Sequence, residues 1–232
     1  MNFHARAGEI TGIAGLVGCG KSELIRAVYG IEPTASGLIR IDGLPYEFPS
    51  PRQSLKRGIA YFPANRVAEG LALSRPIREN ASMTVLDLPA FARFGVLRQA
   101  VERATIADIM ERLQLRPPNI ERSAGALSGG NRQKVMLARA LTRELNVFLF
   151  DEPSVGIDVG AKLEVYQFMK CLVEAGAAVI VVSSELPEGL ALSNRLYVMH
   201  HGRIAAELKG AEKTEQNVLS SFFRDHLAAE VA

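Results

Sequence analysis

Apolar residues in this chain come in short unbroken runs, separated by longer stretches in which apolar and polar positions mix. Ile10–Ala14, Ile59–Phe62, Val147–Phe150, Ala178–Val182 and Leu196–Met199 are aliphatic or aromatic nearly throughout rather than alternating. That is the pattern of strands covered on both faces, as in a parallel sheet held between helices. Gly37–Asp42 and Gly202–Ala206 adjoin glycine turns and predict shorter edge strands.

Helical spacing fills the intervals. Lys21–Tyr29 stops at Gly30, a C′ glycine. Ala161–Glu174 carries Leu163, Tyr166, Phe168, Met169 and Leu172 near one spacing and stops before Gly176. Gly129–Thr142 follows Ser128, an N-cap residue, and Thr214–Ala229 reads as a final amphipathic helix. From about Val67 to Arg143 the periodicity is helical, most clearly over Val101–Leu115, with a break at Pro117-Pro118 and no convincing buried strand. The expected organisation is an α/β core over residues 1–66 and 144–232, with a helical subdomain inserted at 67–143.

Composition narrows the class. The 232 residues are 48% apolar and 22% charged, with a net charge of +2, which is ordinary for a globular protein. Lys and Arg are scattered rather than striped, which argues against nucleic acid as a partner. Two cysteines, Cys19 and Cys171, predict reduced thiols rather than a disulfide scaffold. The longest aliphatic run, Ala177–Val182, falls well short of the roughly twenty residues that cross a bilayer. The opening MNFHARAGEI lacks the apolar stretch of a signal peptide, so any membrane role is expected to come through a partner.

The first chemical motif is Gly15-Leu16-Val17-Gly18-Cys19-Gly20-Lys21-Ser22, which fits GxxxxGK[ST] between a strand and a helix. Glycines let successive N–H groups turn toward a phosphate without Cβ clashes, and the helix start adds a positive dipole end. Lys21 suits the β- and γ-phosphates of ATP, and the Ser22 hydroxyl suits Mg²⁺. Cys19 is a small residue that fits the loop; the helix start could also lower its pKa and make it reactive. The second motif is Asp151-Glu152-Pro153 at the end of a buried strand. Two acids there are costly unless they face a cation or water. Asp151 is the metal-shell candidate and Glu152 the candidate base for an attacking water.

Leu127-Ser128-Gly129-Gly130-Asn131, with Gln133 beyond it, resembles the LSGGQ signature of ATP-binding cassette (ABC) ATPases, and it precedes the Asp-Glu pair as in that family. The resemblance covers nearly the whole chain. It implies a P-loop NTPase core, with a mainly parallel sheet flanked by helices and an inserted helical signature lobe. It also implies a nucleotide site shared with a facing cassette, to which Ser128, Gly129, Gly130 and Asn131 contribute. Asp158 matches the aspartate of the family's D-loop, and Ser184 stands at the switch histidine. GIAGLVG, the Gly58–Arg66 run, LSGGNRQK, VGIDVGAK and VVSSELPE are similar to the second cassette of tandem monosaccharide-importer ATPases. On that resemblance the chain binds Mg·ATP and couples its hydrolysis to sugar uptake. Its partners would be a second cassette in the same parent chain, a transmembrane permease and, indirectly, a periplasmic or extracellular sugar-binding protein. Its place would be the cytoplasmic face of the inner or plasma membrane, held through the permease.

Departures from the family pattern limit what is carried over. Ala64 stands at the family's Q-loop glutamine and Ser184 at its histidine, whereas Lys21 keeps the lysine that second cassettes of this group often replace with arginine. Nucleotide binding is therefore expected to be intact, and hydrolysis at this domain's own site is left open. The adenine-stacking aromatic of the family aligns upstream of Phe3; Tyr29, Tyr46 and Tyr61 are poor substitutes by position. The alternatives to an importer domain are a non-hydrolysing regulatory cassette and a non-transport ABC ATPase.

Overall fold

The computed structural model describes residues 1–34, 36–47 and 49–229, with side chains through Phe222. In chain order the elements are β1 (Ile10–Gly15), α1 (Lys21–Tyr29), β2 (Arg40–Ile41), β3 (Leu44–Pro45), α2 (Pro51–Lys56) and β4 (Ile59–Phe62). They continue with α3 (Ile77–Ser82), β5 (Ala92–Arg93), β6 (Val96–Leu97), α4 (Gln99–Arg112), α5 (Gly129–Leu141) and β7 (Val147–Asp151). The chain ends with α6 (Val159–Glu174), β8 (Ala178–Ser183), α7 (Leu186–Leu192), β9 (Arg195–His200), β10 (Arg203–Lys209) and α8 (Glu215–Ala229).

Two units divide these elements. The first comprises residues 1–61, 146–154 and 163–232; the second comprises residues 62–145 and 155–162. A six-stranded sheet in the order β10-β9-β1-β8-β7-β4 organises the first unit. β1 runs parallel to both β8 and β9, β7 runs parallel to β8, and β10 closes the edge antiparallel to β9. The central strands are buried along almost their whole length, which is why they read as unbroken apolar runs. α1 packs on β1 and β7, α7 on β1 and β8, and α8 on β9 and β10. Ile13, Ile25, Ile59, Leu149 and Val182 meet in one apolar cluster. Ala14, Leu196, Val198, Val218 and Phe222 meet in another.

The second unit packs α3, α4 and α5 against one another around Ile77, Val85, Ile106, Met110, Val135 and Met136. Polar groups are built into this core. Arg78 and Glu102 form a buried ion pair, which Glu121 extends and the Ser82 hydroxyl completes. Removing one member of such a pair costs about 3–5 kcal/mol because the other charge is left buried and unpaired. Asn80 closes the turn before α3, accepting from Ala72 N at 2.8 Å and donating to Ala72 O and Pro76 O at 3.0 Å.

One expected strand is corrected. Gly37–Asp42 does not join the sheet: only Arg40–Ile41 is a strand, and it pairs with Leu44–Pro45 in a separate two-stranded ribbon. Asp42 and Gly43 both have positive φ, 51° and 76°. This is the Asp-Gly hairpin turn, which reverses the chain after two residues. The same device, Phe94-Gly95 with φ of 51° and 78°, makes an unanticipated β5–β6 hairpin in the second unit.

Candidate functional site

The phosphate-loop motif lies between β1 and α1, and its geometry follows from its glycines. Gly18 and Gly20 hold φ of 79° and 96°, the left-handed region that residues with a Cβ avoid. Gly15 sits so close to β9 that a Cβ would lie 2.5 Å from Met199 O and 2.6 Å from Cys19 Sγ. The Cys19 thiol is buried in that crevice and packs the loop from beneath. Gly202 N–H, from the β9–β10 turn, donates to Cys19 O at 2.9 Å. Leu16 and Val17 turn their side chains to solvent, 57% and 87% exposed; what they can offer a ligand is backbone. Gly20 precedes α1 without capping it through a side chain, so the helix's first-turn N–H groups face the loop.

β1 and β7 bring the two charged motifs together. Ser22 Oγ donates to Asp151 Oδ1 at 2.8 Å, and the Tyr61 hydroxyl donates to Asp151 Oδ2 at 3.0 Å. Asp151 is 3% exposed. Burial raises its pKa, while the hydrogen bonds from Ser22 and Tyr61 pull it back down. Burial, then the Asp151 charge, likewise raises the Tyr61 hydroxyl's pKa. A buried carboxylate beside a serine hydroxyl is a hard-oxygen pair. It fits a divalent cation of the kind that is bound through one or two protein oxygens plus phosphate oxygens. Among the described residues no cluster of three or more His, Cys, Asp or Glu offers an all-protein alternative.

Lys21 is buried and its ammonium lies 3.4 Å from Glu152 Oε1. Glu152 has φ of 46°, a left-handed conformation uncommon for a residue with a Cβ. Its N–H still bonds to Val182 O at 2.9 Å. Ser184 grips its carboxylate twice: the backbone N–H donates to Oε2 at 2.9 Å and the hydroxyl donates to Oε1. The structure thus sets two neighbouring contacts side by side, Ser22 with Asp151 and Lys21 with Glu152 and Ser184.

The signature residues stand in the second unit. Ser128 caps α5, its hydroxyl accepting from Asn131 N at 3.5 Å and from Asn131 Nδ2 at 3.0 Å. Asn131 Oδ1 also accepts from Arg116 N at 3.2 Å, so its side-chain amide is engaged inside the lobe. Gly129 and Gly130 face residues 156 and 161, where a Cβ would lie 3.4 Å from Gly156 O and 3.1 Å from Ala161 Cβ. Asp158 caps the start of α6 through Ala161 N at 3.0 Å. Ala64 is half-buried, and Asn65 caps the following turn through Ala68 N at 3.0 Å.

Sequence reasoning named Tyr61, Arg66 and Gln133 but gave none of them the contacts they make: the Tyr61 hydroxyl holds Asp151, and Arg66 meets Gln133. Arg66 donates to Gln133 Oε1 at 3.1 Å and to Val155 O, tying the segment after β4 to α5 and to the stretch before α6. Burial and the neighbouring Arg132 lower its pKa. The three tyrosines of the sequence reading are used internally. Tyr29 stacks on Tyr61 at 5.5 Å, and the Tyr46 hydroxyl lies 2.6 Å from Ser54 Oγ.

Fold and site together define a P-loop ATPase domain of the ATP-binding cassette class. A family model described as "ABC transporter" matches residues 1–155, and the chain belongs to the ABC transporter family. It is similar to the ribose import ATP-binding protein RbsA of Yersinia pestis, 40% identical over 95% of this chain and 43% of that protein. The protein of the same name from Pseudomonas putida is 42% identical over the same shares. The chain therefore spans less than half the length of these relatives. Among solved structures it resembles a nucleotide-free ATP-binding cassette from an ABC transporter, with a TM-score of 0.75, 26% identity and coverage of 94% of this chain and 87% of that one. A dimeric post-hydrolysis cassette bound to ADP and Pi shares the fold, with a TM-score of 0.76 at 22% identity over 90% of this chain and 88% of that one. Among the described residues no helix is long and apolar enough to cross a membrane.

Proposed function

We propose that this chain is the nucleotide-binding domain of an ABC importer that binds Mg·ATP and couples its hydrolysis to uptake of a sugar. The observation that carries this reading is the cluster at the ends of β1 and β7, where Lys21 pairs with Glu152 and Ser22 with Asp151 behind a helix start that has no side-chain cap. The naming of its relatives as ribose import proteins supports the sugar class.

In this reading the N–H groups of residues 15–22 wrap the β-phosphate, and Lys21 exchanges its contact with Glu152 for the phosphate oxygens. Ser22 and Asp151 hold Mg²⁺, which neutralises phosphate charge when bound. Glu152 orients the attacking water and accepts its proton, and Ser184 keeps the carboxylate aimed. Ser128, Gly129, Gly130, Asn131 and Asp158 serve the nucleotide of a facing cassette. The run of matches to second cassettes supports a head-to-tail partner in the same parent chain. A permease that holds the chain at the cytoplasmic face of the membrane and, indirectly, a periplasmic or extracellular sugar-binding protein complete the machine.

Turnover tests the reading. ATP hydrolysis by the isolated chain should be slow and rise with protein concentration, because each site needs the signature loop of another domain. In the transporter reconstituted with its permease and partner cassette, hydrolysis should increase when the sugar-loaded binding protein is added. Fast turnover that does not depend on protein concentration would contradict the shared site. ATP binding with no hydrolysis in the full assembly would make this a regulatory cassette.

A further inference from the structure

We infer that Glu188 is a positioning residue that clasps the two segments carrying Glu152 and Ser184. The inference rests on the reading of Glu152 as the water-activating base.

Glu188 lies in the first turn of α7 and is 6% exposed. A buried carboxylate depends on the donors that reach it, and here they converge on Oε2, since Oε1 is buried with no hydrogen-bond partner among the described residues. Its donors come from separate parts of the fold. Ser154 Oγ donates to Oε2 at 3.0 Å, and Ser183 Oγ donates to the same oxygen. The Tyr166 hydroxyl, from α6, also faces this carboxylate, and burial followed by Glu188 raises its pKa. Ser154 and Ser183 are 1% and 2% exposed, so neither hydroxyl has water as a substitute partner.

The positions of the two serines give the cluster its meaning. Ser154 follows Glu152 by two residues, and Ser183 immediately precedes Ser184. Ser183 is itself fixed, since its hydroxyl accepts from Glu185 N at 3.0 Å. Beyond the backbone bond from Glu152 N–H to Val182 O, side chains join the segments in two places: at the surface by Glu152 and Ser184, and beneath it by Ser154, Glu188 and Ser183. Glu152 needs such support, because its φ of 46° persists only where surrounding structure over-determines it. Remove the buried clasp, and the left-handed turn is left to the backbone bond from Glu152 N–H to Val182 O, while the carboxylate is aimed only by Ser184 and Lys21. A carboxylate that merely pinned α7 would have no reason to draw its donors from the residues flanking the catalytic pair.

Amide hydrogen exchange at Ser184 reads the surface pair directly, because that N–H is donated to Glu152. In Glu188→Leu, which keeps bulk and removes both acceptors, Ser184 exchange should speed up by about tenfold or more while the β1 amides stay protected. In the assembled transporter kcat should fall about tenfold, with KM for ATP within about threefold of the parent. Glu188→Gln retains an oxygen that accepts from both serines and should recover most of the protection and the rate. Ser183→Ala, which leaves α7 and its carboxylate in place, should speed Ser184 exchange in the same direction and carries the test if Glu188→Leu does not fold. Unchanged Ser184 exchange in Glu188→Leu and Ser183→Ala, or a Gln variant no better than Leu, would overturn the clasp. If the parent assembly proves not to hydrolyse ATP, the reading of Glu152 fails, and the exchange result still decides the clasp.

Discussion

Helix α1 begins after Gly20, at φ of 96° and with no side-chain cap, whereas α5 begins after Ser128, whose hydroxyl already accepts from Asn131. Both starts follow a glycine-containing loop, and in sequence both look like anion sites. Their construction differs. The first leaves donors turned into its own loop and sets a lysine and a serine directly behind them. The second is capped by its own serine, with Asn131 tied to Ser128 and Arg116, and with Gly129 and Gly130 close against the 156–161 segment. The difference fits the proposed roles, in which one loop binds a nucleotide within this chain and the other is offered to a facing cassette. Substitutions should separate them accordingly.

The largest effect is expected from Gly20→Val. A β-branched residue at a φ of 96° forces the loop to refold, and ATP affinity measured by calorimetry should fall by about 100-fold or more. Next is Glu152→Gln, which should lower this site's turnover about tenfold or more while leaving nucleotide affinity within about threefold, since it removes a base and not a phosphate donor. Asp151→Asn should abolish the Mg²⁺ dependence of nucleotide binding yet raise the melting temperature at neutral pH. The sign follows from the raised carboxyl pKa. A group with a raised folded pKa contributes stability that is full below its unfolded value and is lost as pH rises through the folded value. At neutral pH the ionised Asp151 is therefore a net cost, and the melting-temperature gap between variant and parent should close as pH falls toward the ordinary carboxylate range. The smallest effect is Ser128→Ala, worth about 1 kcal/mol of stability from the lost cap, with no change in the chain's own ATP affinity. A strong loss of affinity in that variant would erase the distinction between the two loops.

The first loop was legible because its parts are consecutive. Strand, glycines, Lys21-Ser22 and helix follow one another in the chain, and an unbroken apolar run marks each buried strand of the sheet. β1, β4, β7, β8 and β9 fall within a residue of the ends expected at either side. Residues that act through the fold were not legible. Tyr61 reaches Asp151 across 90 positions and Ser154 reaches Glu188 across 34, and nothing local in the sequence marks either partner. Arg66 stood inside a recognised run, but its bonds to Gln133 and Val155 depend on segments that only folding brings near. The lost edge strand at Gly37–Asp42 is a failure of another kind. β propensity was read correctly over two residues, and the Asp42-Gly43 turn then ended the strand.

The central claim is that the loop at residues 15–22 binds Mg·ATP through its own chain, and calorimetric titration of Mg·ATP into the parent and Lys21→Ala tests it most directly. The variant should keep the parent's circular dichroism spectrum and lose about 30-fold in affinity, or about 2 kcal/mol. Equal affinity in the two folded proteins would contradict the account.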